Sequence, residues 1–84
     1  MTAIHRLDSS AGKAEKTPTG TRVPVFTGNP ELPIEIIHGL GRVPVDIWIT
    51  DRNRDCGFYT VSKDAFKHVA VFTEAGASLY VRYE

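Results

Sequence analysis

From Val23 onward, apolar and polar side chains alternate with a period of two, in short runs separated by turn-forming residues. In the first run Val23, Val25 and Thr27 share one face, Pro24 and Phe26 take the other, and Gly28-Asn29-Pro30 ends it. Pro24 has no N–H to donate to a ladder, so this run is read as an edge strand. Ile34-Glu35-Ile36-Ile37 forms a second run. In the third, Val45, Ile47 and Ile49 point inward, while Asp46, Trp48 and Thr50 point outward. Residues 58–61, 68–73 and 78–83 complete the set, the last two joined by a tight hairpin reversal at Glu74-Ala75-Gly76-Ala77. Residues 62–67 are a short link with room for one helical turn. No segment sustains a 3.6-residue period. Six short strands, spaced about ten residues apart, predict an all-β domain over residues 23–84: a small antiparallel β-sandwich or a partly open barrel, with the sandwich preferred.

Residues 1–22 have a different texture. Between Ser9 and Thr21 the chain is small, polar and punctuated, and it lacks the apolar surface that would offset ordering. This segment is read as a flexible N-terminal arm. Its aliphatic residues Ile4 and Leu7 are candidate anchors on a partner.

Between the second and third runs stands His38-Gly39-Leu40-Gly41-Arg42-Val43-Pro44. Its two glycines supply positive φ for a sharp change of direction. Leu40 gives the corner an apolar peg, and Pro44 suits the first residue of a strand. His38 is expected to hydrogen-bond the backbone of its own corner, where polar groups would otherwise lack partners.

At 84 residues the chain holds one small domain, of a size for which self-association is a common source of added stability. Its formal charge is zero. Four basic residues against two acidic ones in residues 1–22 leave +2 there and −2 on the rest, too little for a nucleic-acid footprint. No apolar run approaches the roughly 20 residues of a membrane span. The apolar core of a secretory signal is also missing, which suggests synthesis and residence in a reducing cytosol. The single cysteine, Cys56, excludes an internal disulfide and a cysteine-rich zinc site, and is read as a packed or half-exposed strand residue rather than a nucleophile.

Candidate chemistry is sparse. Asp51, Asn53, Asp55 and Gly57 have the spacing of a calcium loop, but Cys56 and Ser62 occupy the positions that need glycine and glutamate. A solvated hairpin turn is the better reading. His5, His38 and His68 show no local ligand spacing, and Ser9, Ser10, Ser62 and Ser78 have no nucleophile-elbow context. We therefore expect no catalysis, metal or cofactor. The aromatic residues Trp48, Tyr59, Tyr80 and Tyr83 are the better lead, as either the second side of two-sided strands or a subunit interface. Trp48 or Tyr59 stacking on a sugar, as in a carbohydrate-binding module, is an alternative of another class.

The corner and the strands beyond it resemble small β-domains of tailed-bacteriophage virion proteins, particularly tail-fibre and other tail-associated components. The resemblance rests on the extended run into His38, then Gly39-Leu40-Gly41 and Arg42-Val43-Pro44. It continues through the strand from Val45 to Asp51, residues 58–61, Asp64, and a final hairpin with Gly76 in its turn, covering about residues 32–84. It implies a structural role without a cofactor, in a virion assembled from products of the bacterial host cytoplasm. The implied partners are further copies of the chain, as a trimer, and other virion proteins; a host glycan is a further possibility. Capsid decoration or a head–tail accessory role is the alternative within the same class.

Overall fold

The computed structural model describes residues 9–28 and 32–84. Among these residues there are eight strands and no helix. The strands are β1 (Ser10–Ala11), β2 (Glu15–Lys16), β3 (Thr21–Thr27), β4 (Ile34–Ile37), β5 (Ile47–Thr50), β6 (Phe58–Lys63), β7 (Lys67–Phe72) and β8 (Ala77–Tyr83). They form two antiparallel sheets. One has the order β1-β3-β8-β5 with β2 also on β3; the other has the order β4-β7-β6. Alternating side chains from both meet in a single core that includes Val23, Val25, Ile34, Ile36, Ala70, Phe72, Leu79 and Val81. The six expected strands are present and the β-sandwich reading holds.

From β3 onward the chain changes sheet at every connection except β6–β7, so two expected hairpins are crossings. β5 and β6 belong to different sheets, and the charged segment after Asp51 spans the gap between them. This segment is exposed, as expected, but it is tied to β8: Asn53 N–H donates to Ser78 O, and Asn53 Oδ1 accepts from Ser78 N–H. Cys56 beside it is buried. Likewise β7 and β8 are joined by an arch between sheets, not by a hairpin. Buried Thr27 organises that arch, its hydroxyl donating to Glu74 O and accepting from Ala77 N–H. The link after β6 is a true hairpin turn without helix. Asp64 Oδ1 accepts the N–H groups of Phe66 and Lys67, both at 2.8 Å, and these bonds hold its carboxyl below the usual range.

Two further expectations need correction. The arm reading fails for residues 9–22: residues 9–20 run alongside β3 through β1, β2 and a Gly12 N–H to Pro24 O bond of 2.8 Å, and Thr21 and Arg22 begin β3 itself. Ladder bonds to β3 supply what the composition of this stretch could not. Ile4 and Leu7 lie outside the described residues. For the same reason β3 is not a bare edge. Pro24 nonetheless fits, because its carbonyl, and hence the side its N–H would occupy, faces Gly12, between β1 and β2.

Val45 does not face the core but is 79% exposed. Its N–H and that of Asp46 both donate to Glu84 O, at 2.7 and 3.2 Å. Two residues opposite one make a bulge, which shifts the alternation by one position and buries Pro44 in place of Val45. β5 therefore begins at Ile47, and Ile47 and Ile49 pack against the core as expected.

Candidate assembly surfaces

The glycine corner carries the chain from β4 to β5, that is, from the three-stranded sheet to the larger one. Gly39 and Gly41 have φ of +69° and +76°, as the residue types anticipated. His38 is fully buried: its Nδ1 accepts from Leu40 N–H at 3.1 Å and its Nε2–H donates to Asp64 O at 2.8 Å. The corner is thus closed by its own histidine and pinned to the β6–β7 turn. Leu40 packs on the core, Pro44 is buried and Arg42 is exposed. A Cβ on Gly41 would touch nothing within 4 Å, so only its backbone conformation excludes a branched side chain. Gly41→Val is expected to cost about 1–3 kcal/mol, read as a lowered melting temperature.

Behind the corner lies a buried polar cluster. His38 and His68 both pack against the Tyr83 ring, His38 tilted and His68 edge-on, with ring centroids 5.2 and 5.5 Å away. His68 Nδ1 shares a hydrogen bond of 2.8 Å with the Tyr83 hydroxyl, and Nε2 shares one of 2.9 Å with Thr60 Oγ1. Burial pushes His68 down to about 4 and raises the Tyr83 phenol above its usual range. Tyr83 has no exposed surface, so it is a core residue rather than part of an interface. The alternation already assigns it to the Val81 and Leu79 side of β8. Among the described residues no group of three or more His, Cys, Asp or Glu side chains is placed to hold a metal ion.

The other three aromatic candidates lie on two opposite faces. Trp48 and Tyr80 share the outer face of the larger sheet, both half-buried. There the Arg82 guanidinium lies 5.5 Å from the Trp48 ring centre and that of Arg22 lies 4.7 Å from the Tyr80 ring centre. Glu15 pairs with Arg22 at 2.9 Å. This face covers its own aromatic rings with charge.

Tyr59, by contrast, stands on the outer face of the three-stranded sheet and is 61% exposed. Val71 lies opposite it on β7. Ser62 opposes Val69, and the extra residue Val61 forms a bulge that places it beside Ser62 on the same face. Glu35 opposes Val69 from the other side, and Ile37 opposes Lys67. The centre of this face is therefore Tyr59, Val61, Ile37, Val69 and Val71, and no element of the described chain covers it. A one-sided antiparallel sheet would carry polar residues here. The sequence reading missed four of these five residues. The signal was available in Ile36-Ile37 and His68-Val69-Ala70-Val71-Phe72, which are apolar in both phases of the alternation, the pattern of strands covered on two sides.

No family model matches the chain, and neither curated proteins nor solved structures provide a match.

Proposed function

We propose that the protein is a structural component of a tailed-phage or prophage virion, tail-associated or fibre-like, acting by self-association and by docking on other virion proteins. The observation that carries this reading is the uncovered apolar face of the three-stranded sheet, with Tyr59, Val61 and Ile37 at 61%, 55% and 57% exposure. Apolar side chains clustered on one sheet face are a liability unless something covers them. The resemblance of the corner, Gly39-Leu40-Gly41 with Pro44 beyond it, supplies the virion context. Stacking on a sugar is the weaker reading for Trp48, because the Arg82 guanidinium already lies over that ring.

The test is localisation. Gold-labelled antibody on purified particles from a strain carrying the gene is expected to mark the tail. Label spread over the icosahedral shell would support capsid decoration instead. Particles that carry none of the protein would end the proposal.

A further inference from the structure

We infer that the outer face of the three-stranded sheet is the seat of a two-fold, face-to-face pair of this chain, with Glu35 of each copy set against Lys67 of the other. The inference rests on the reading that the protein works by assembly, and it names the first partner as a second copy. Three observations lead there.

The first is that the edges of this sheet are poor templates. β6 carries the Val61 bulge and ends in Lys63, and β4 is four residues long with Pro33 just before it. Bulges, lysines, prolines and short strands each oppose strand-to-strand addition. Association is directed to the face.

The second is charge. Among the described residues the face carries, besides its apolar centre, one acid and one base, Glu35 and Lys67, 3.8 Å apart with side chains 65% and 44% exposed. A surface carrying both signs in equal number complements itself. A two-fold axis between the faces, along the perpendicular bisector of this pair, lays each carboxylate over the partner's ammonium group, as an isologous contact requires. A partner of strong single charge would meet a mismatch at one of the two positions.

The third is area. Three strands about 4.8 Å apart, rising about 3.3 Å per residue, give a face that buries on the order of 1,000 Å² over two copies, the low end of specific interfaces. Such a pair is weak in solution, and it strengthens where many copies are held on one particle. It would stand in place of the trimer expected from the sequence.

Sedimentation velocity over a concentration series provides the test. Wild-type protein is expected to shift reversibly from monomer to dimer. Glu35→Lys and Lys67→Glu each create two like-charge contacts across the axis, and each is expected to weaken the dimer by about tenfold or more. An equimolar mixture of the two variants is expected to restore it, since every cross-contact then pairs opposite charges while each chain's internal pair remains repulsive. Restoration therefore reports contact between chains, which a purely local effect on folding would not produce. Val61→Lys, at an exposed bulge position, is expected to abolish the dimer independently. Wild-type protein that stays monomeric, a mixture that fails to associate, or loss of the dimer in Trp48→Ala but not in Val61→Lys would overturn the inference. A monomer that is nevertheless found in particles would leave the virion reading standing and remove only the two-fold pair.

Discussion

Gly20→Ala is expected to cost about 3 kcal/mol and to lower the melting temperature by roughly 15 °C in a domain of this size. Gly20 closes the β2–β3 turn, where its N–H donates to Thr17 Oγ1 and its carbonyl accepts from Thr17 N–H. A Cβ at this position would stand 1.9 Å from Tyr83 O and 3.0 Å from the carbonyl carbon of the same residue. The obstacle is backbone, so no side chain can rotate away. Tyr83 itself is held on both sides, paired with Thr21 on β3 and with Ile47 on β5. Relief must come from opening the β3–β8 ladder. Gly12→Ala is the comparison, since there the nearest atom to the added Cβ is a side-chain one, on the Pro24 ring at 2.8 Å, and the nearest backbone atom is 3.7 Å away. Thermal melts followed by circular dichroism would rank the two, and a Gly20→Ala melt close to wild type would show that the turn does not sit against β8.

Acidification provides the second large effect. His68 is fully buried and held down to about 4, against an ordinary value of 6.5. As pH falls below 6.5 the unfolded chain therefore takes up a proton that the folded chain refuses. Stability is at its full value above 6.5 and falls steadily until the pH reaches about 4, where the folded form is protonated too. A shift of this size corresponds to a loss of about 3 kcal/mol across that window. Asp64 acts in a separate range. Its folded value is lowered, so the stability it adds is present above 3.8 and is lost as pH falls through the lower folded value. Urea unfolding at a series of pH values would show the two phases. Titration of the His68 ring by NMR with a midpoint near 6.5 would contradict the first of them.

Both predictions depend on residues that alternation alone could not place. The pattern places Val23, Val25 and Thr27 on one shared face, which is buried, and points Ile47 and Ile49 toward the core they pack against, because a half-covered strand imposes a period of two. It locates the corner and its two positive-φ glycines, since few residues other than glycine tolerate that geometry. It cannot say which sheet each strand joins, because pairing is decided between residues far apart in the chain. That is why the loop after Asp51 and the Gly76 reversal both read as hairpins. Bulges are equally invisible: one extra residue at Val45 or Val61 turns the alternation over without any local mark in composition. For the segment from Ser9 to Thr21, polar composition argues against order, yet Ser10, Ala11, Glu15 and Lys16 acquire it from hydrogen bonds to β3. Of the aromatic candidates, Tyr83 misleads because its hydroxyl, a mark of interface residues, is satisfied inside by His68.

The seven-residue ladder between β3 and β8 has a kinetic consequence. It joins Thr21 to Tyr83 and Thr27 to Ala77, so the central pair of the larger sheet brings together distant parts of the chain. Only the β2–β3 and β6–β7 hairpins can form from neighbouring sequence. On a ribosome the nascent polypeptide must wait for β8 before β3 gains its main partner, and until then Val23 and Val25 remain accessible to chaperones. Refolding from denaturant should accordingly be slow for so small a domain, in the range of milliseconds to seconds, with loop closure rather than hairpin formation limiting the rate.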